Sequence, residues 1–210
     1  MPTRRYALEA SGPQRLEISW RGFWKDTAIQ LDGNTIGTIP GQKELRAGQE
    51  FVLPDKSVLR VQLVTGLTSE LRVLRDGKPL PNSASDPATR LKTAYGIVFF
   101  IAGLNIVLGL VSELFQVEFL QQLGIGVFSI GFGLIFLALG FAVRSQSQIA
   151  LIIAIAIFAL DGILGLAVSA SAGGRPSTVG IIVRIFLLIP MVQGVGAIKT
   201  LKAQTSQSSS

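Results

Sequence analysis

Four apolar runs follow Lys92, and they constrain the chain more than any other feature. Residues 94–111 hold 18 positions with Asn105 as the one strongly polar member, and 123–143 hold 21 without a charge. Residues 149–170 hold 22, interrupted by Asp161, and 179–198 hold 20, interrupted by Arg184. A helix rises ~1.5 Å per residue and needs about 20 apolar residues to cross the hydrocarbon layer. The second run has no polar face to turn toward water, which argues against a soluble bundle. The expectation is a membrane domain over 94–202, with transmembrane helices at 94–115, 123–143, 149–170 and 179–200.

Charge divides the chain at the same place. Residues 1–92 carry 14 of the 19 Lys and Arg and 10 of the 13 Asp and Glu. A water-soluble head joined to a membrane body is the reading. The opening Met1-Pro-Thr-Arg-Arg leads into polar sequence and not an apolar stretch, so the head is expected to stay on the side where it is made. Arg90, Lys92, Arg144, Lys199 and Lys202 fall on one side of the four spans, against Arg175 with Glu113 and Glu118 on the other. The positive-inside bias then places both termini in the cytoplasm, with the protein multipass in the cell (inner) membrane. Residues 203–210, polar and serine-rich, are expected to be disordered.

Residues 4–81 read as strands. Leu16, Ile18 and Trp20 alternate with Glu17 and Ser19, Leu59, Val61 and Leu63 alternate with Arg60 and Gln62, and Leu71 and Val73 flank Arg72. A period of two sends one set of side chains to a core and the next to water. Asp32-Gly33 and Asp76-Gly77 supply the positive φ angles of tight hairpins, and Ala47-Gly48 and Pro54-Asp55 mark further reversals. Seven or eight short strands at this spacing predict a small antiparallel β-sandwich over 1–81. A linker, residues 82–93, follows. The fold class is α+β: a sandwich head, then a four-helix membrane bundle. Trp20 continues the Leu16–Ile18 side and belongs to the core, while Trp24 is left open between packing and a ligand face.

Asp32-Gly33, Gly48-x-x-Phe51 and Leu71-x-Val-Leu-Arg-Asp-Gly-Lys78-x-Leu80 resemble the strand order of Fas apoptotic inhibitory molecule domains. The likeness covers residues 6–80 and implies a compact β-sandwich with a recurring Asp-Gly-Lys hairpin and no established catalytic site. The family's early His positions have no counterpart here. The C-terminal half looks like uncharacterised bacterial four-helix membrane proteins, a likeness that implies no function.

Asp161 and Arg184 are the sharpest candidates for a role. A charge at membrane depth costs at least ~2.5–3.5 kcal/mol on insertion scales, so such residues face the bundle and find partners. Asp161 lies on a stripe of small residues with Ala150, Ala154 and Gly165. Counted from the connection at 171–178, Asp161 is about 15 Å deep and Arg184 about 9 Å by helical rise. An arginine stem covers that difference. The pair reads either as a clamp fixing helix register or as a polar relay or ion path. Asn105, on a face with Ala102, Gly109 and Ser112, is expected to hydrogen-bond across helices. Gly126, Gly133 and Gly140 recur every seven residues, and Gly124 and Gly131 repeat the interval, giving faces on which another helix, of this chain or of a second copy, packs closely. Pro190 is expected to kink the last span. Residues 112–120 mix acidic and large apolar groups in the manner of an interfacial segment.

Much is excluded. With no Cys and no His, the chain lacks thiol nucleophiles, disulfides, imidazole bases and His- or Cys-ligated metals. No phosphate loop, carboxylate pair or activated serine appears, so no catalytic, cofactor or metal residue is expected. The head is only +4, without a basic run or an aromatic platform for nucleic acid; Arg90 and Lys92 suit anionic lipid instead. The partners expected are the bilayer, a cytoplasmic protein bound through residues 1–81, and a second copy of the chain. The function expected is a non-enzymatic, membrane-anchored interaction or scaffold module, with a small oligomeric transporter or channel as the alternative.

Overall fold

The inward positions of the alternating segments form one core shared by two sheets. In the computed structural model, which describes residues 1–65, 69–116, 126–171 and 178–208, the chain divides into two compact units, Met1–Thr89 and Arg90–Ser210. The first unit holds two four-stranded antiparallel sheets in simple sequential order. One is β1 (Thr3–Ala7), β2 (Gln14–Arg21), β3 (Lys25–Leu31) and β4 (Asn34–Ile39); the other is β5 (Gln49–Val52), β6 (Val58–Thr65), β7 (Ser69–Arg75) and β8 (Lys78–Pro79). A short helix, α1 (Gln42–Ala47), carries the chain from one sheet to the other and buries Leu45.

Leu16, Ile18 and Ile29 of the first sheet meet Leu59, Val61, Leu71 and Val73 of the second in a single buried cluster. Fully burying one such side chain stabilises the unit by about 1.5–3 kcal/mol. Both Asp-Gly turns form two-residue hairpins. Leu31 pairs Asn34 across Asp32 (φ 51°) and Gly33 (φ 80°), and Arg75 pairs Lys78 across Asp76 (φ 49°) and Gly77 (φ 77°). Two consecutive positive φ angles match the twist of the flanking strands.

Four long helices follow among the described residues: α2 (Pro87–Leu114), whose first turn closes the first unit, α3 (Val127–Arg144), α4 (Gln148–Ser171) and α5 (Thr178–Ser208). All four are long and apolar enough to cross a membrane. Only 22% of the most apolar window is buried in each of α3, α4 and α5, and 28% in α2. Phe100, Phe128, Ile163 and Phe186 all point outward. Four helices whose outward faces are apolar are satisfied in hydrocarbon and not in water. The architecture is that of a multipass membrane protein.

Several boundaries differ from those expected. Residues 87–93 of the linker already belong to α2, because Asp86 and Pro87 start a helix. The Asp86 carboxylate accepts from the Ala88 amide (3.1 Å) and the Thr89 hydroxyl (3.0 Å), and proline suits a first helical position. Helix α5 does not stop near residue 200 but continues through 203–208 of the expected disordered tail. There the Thr205 and Ser206 hydroxyls donate back to the carbonyls of Leu201 and Lys202. Helix α3 begins at Val127, and residues 123–125 of its expected span lie outside the described residues, as do Gly124, Glu118, Arg175 and residues 117–120 of the interfacial segment. Pro190 lies inside the continuous helix α5.

Candidate functional site

Two places combine unusual chemistry with exposure, one in each unit. In the membrane unit, Arg184 of α5 reaches Asp161 of α4, with Nη1 2.9 Å from Oδ2. Nη1 is buried and meets the carboxylate as an ion pair, without hydrogen-bond alignment. The two helices run antiparallel, so the arginine stem bends along α5 to meet the deeper carboxylate.

Glycine makes room for it. A Cβ at Gly162 would fall 2.7 Å from Arg184 Nη1 and 3.3 Å from its Cδ. One turn back, the Phe158 ring lies under the guanidinium at 5.7 Å, within cation–π range. Gly162 is the residue the sequence reading missed, since the stripe drawn through Asp161 and Gly165 passes beside it. Its signal is adjacency: a glycine next to an intramembrane carboxylate is where a long cationic side chain can lie down.

The small-residue stripe on α4 is covered at one end only. Ala150 and Ala154 are buried, whereas Asp161 keeps 48% of its side-chain surface and Arg184 keeps 36%. Beside the pair runs an open apolar groove of about 440 Å³ between α4 and α5, with Gly162, Gly165, Gly180, Arg184, Ile185 and Leu188 on its walls. Such an arrangement holds a neutral dipole at membrane depth with one side uncovered. It can fix helix register, take up a proton, or meet a second polar group.

The glycine heptad packs on α2 within the chain. A Cβ at Gly133 would come 2.6 Å from Ile106 Cγ1 and 2.8 Å from the Ala102 carbonyl oxygen, and one at Gly140 would strike the Phe99 ring at 2.7 Å. Gly126 forms the N-cap of α3 beside Glu113, whose carboxylate accepts from the Val127 amide at 3.1 Å. An acidic group there complements the helix N-terminus, a role that sequence alone did not reveal. Gly131 touches nothing within 4 Å. In place of the expected interhelical bond, the bond found for Asn105 among the described residues lies within its own helix. Its amide donates to the Ile101 carbonyl of its own helix at 2.9 Å, because a carbonyl four residues back is always in reach.

In the head, the β2–β3 hairpin is the counterpart. Arg21 pairs Lys25 across three residues, and Gly22, Trp24 and Asp26 all have positive φ (46°, 60° and 47°). A bulky non-glycine residue in that region is strained. Trp24 is held there by stacking on Trp20, with ring centroids 4.3 Å apart and planes 17° from parallel. Trp20 is buried in the core as expected, and Trp24, the one left open, is half-buried against it. Phe23 between them is 86% exposed. Arg21 and Lys25 flank it, both exposed.

A third polar cluster is structural. Arg75 ties together three segments: Nη2 meets Asp55 at 2.5 Å, Nε donates to the Ser57 hydroxyl at 3.0 Å, and Nη1 donates to the Leu8 carbonyl at 3.3 Å. The hydroxyl and amide of Ser57, and after them the Arg75 guanidinium, hold the Asp55 carboxyl below the usual range. Arg15 likewise holds Asp32 down through a charge-assisted hydrogen bond. Among the described residues no three acidic groups gather as metal ligands would. No protein-family model, curated protein or solved structure matches the chain.

Proposed function

We propose that the protein is a non-enzymatic, membrane-anchored interaction module in the cell (inner) membrane, with both termini in the cytoplasm and the β-sandwich as its binding domain. The observation that carries this reading is the β2–β3 hairpin. A strained Trp24 locked on Trp20 presents Phe23 to solvent between two cations. Aromatic and Arg anchors of this kind dominate protein interfaces, and backbone strain gathers where function over-rules packing. The resemblance of residues 6–80 to Fas apoptotic inhibitory molecule domains supports a binding role over a catalytic one. The charges at 90, 92, 144, 199 and 202 support the orientation, through the positive-inside bias.

The test is a photo-crosslinking amino acid placed at Phe23 in the full chain in cells. A discrete protein adduct from position 23, absent from position 52 on the other sheet and lost on Trp24→Ser, is the expected result. Equal labelling at both positions contradicts it. A second reading, a small oligomeric transporter or channel, is favoured by the half-exposed Asp161–Arg184 pair beside its groove. Proton or cation flux into liposomes holding the purified protein, abolished by Asp161→Asn, would establish that reading in place of the first.

A further inference from the structure

We infer that the α4–α5 groove is the contact between two copies of this chain, and that the copies exchange their ion pairs across it, Arg184 of each meeting Asp161 of the other as well as its own. The first observation is exposure. The pair is mated within the chain, yet about half of the Asp161 side chain and a third of the Arg184 side chain remain uncovered. At this depth the surroundings are acyl chains, which offer neither group a hydrogen bond, and intramembrane charges normally face protein or a water-filled cavity.

The second observation is that the exposed chemistry is complementary to itself. Copies inserted with the same topology are related by a twofold axis along the membrane normal, and such a contact is isologous. The ion pair has already brought the guanidinium and the carboxylate to within 2.9 Å of each other. They therefore share one depth, and the rotation sets each charge opposite its counter-charge at that depth. Four groups then form a closed ring of alternating sign, and each uncovered edge finds a partner. An acyl chain in the same groove would leave both edges bare.

Shape allows it. Gly165 and Gly180 leave the groove wall low beside Arg184, which itself fills the space over Gly162, so a second backbone can approach there. Gly133 and Gly140 of α3 are not available for this contact, because α2 already fills them.

The chain has no cysteine, which makes the test direct. Single cysteines at Ile163, Leu166, Ile181 and Ile185 are introduced into the full-length protein in native membranes, with Val107→Cys on the outward face of α2 as control. Covalent dimer from at least one groove position, at ten-fold or greater yield over Val107→Cys, is expected. Equal yields, or monomer at every groove position, would overturn the inference. A second experiment leaves the fold out of the argument. In an Ile163→Cys background (or whichever groove cysteine cross-links best), Asp161→Arg and Arg184→Asp are expected each to lose the homodimer. Co-expressed with distinct tags, they are expected to regain a mixed dimer, because two arginines then face two aspartates. Absence of the mixed dimer when both chains are present in the membrane would show that the pair acts only within one chain.

Discussion

Gly133→Ala is the substitution whose effect the helix packing fixes most closely. The added Cβ would lie 2.8 Å from the Ala102 carbonyl oxygen and 3.0 Å from the Ile106 nitrogen. Both are backbone atoms, so no rotamer change relieves them, and α2 and α3 must part by about 0.6 Å to restore ordinary contact. A gap of about 0.5–1 Å already forfeits a quarter to a half of each dispersion well along the seam. Overpacking of this kind costs about 1–3 kcal/mol. At about 2–4 °C per kcal/mol for a chain of this length, the membrane unit should melt about 2–12 °C lower. Gly140→Ala meets first the Phe99 ring, a side chain that can tilt, and should lose less. Gly131→Ala meets nothing and, through better helix propensity, should be neutral or slightly stabilising. The assay is the fraction of full-length protein that stays monodisperse in mild detergent after heating, measured for the three variants side by side. Equal melting of Gly133→Ala and Gly131→Ala would refute the packing argument.

The head allows three further expectations, and its two tryptophans, the only ones in the chain, report on it alone. Leu59→Ala, at a fully buried site of the shared core, should lose about 2–5 kcal/mol of stability, read from the denaturant midpoint of tryptophan fluorescence. Asp32 and Asp55 titrate below the usual carboxylate range because of Arg15 and of Ser57 with Arg75. Their folded pKa values are depressed, so the stability they add is present above the ordinary carboxylate pKa of about 4 and lost as pH falls through the folded values. The denaturant midpoint should drop on acidification, and an Arg15→Gln, Ser57→Ala double variant should flatten that drop. Burial, opposed in part by Arg4, pushes the Tyr6 phenol up. Its contribution is therefore present below about pH 10 and lost as pH rises through the raised value; Tyr6→Phe should remove that alkaline limb.

Much of the fold was legible because it rests on periodicity. Leu16, Ile18, Leu59 and Val61 alternate with polar residues and are all buried, and both Asp-Gly turns close at the expected residues. The apolar runs announced themselves by length. What stayed hidden depends on contacts between distant segments or on competing local signals. Glu113 capping α3 lies 14 residues from the amide it serves, and nothing in either segment names the other. Asp86-Pro87 reads as linker in the sequence although the same two residues make a helix start, because turn formers and N-caps are the same residue types. The tail looked disordered by composition, yet its hydroxyls bond within the helix they extend. For the ion pair, the sequence supplied both charges and their depths, but the bed formed by Gly162 and Phe158 became visible only once α4 and α5 were side by side. The strain at Trp24 has no sequence signature, since tryptophan is not a residue that favours positive φ.

The central claim is that the four helices lie in lipid, and alkaline carbonate extraction of membranes from cells making the full chain tests it most directly. The protein should stay in the membrane pellet through the wash and enter solution only with detergent. Release into the carbonate supernatant as a dispersed, folded species would contradict the account.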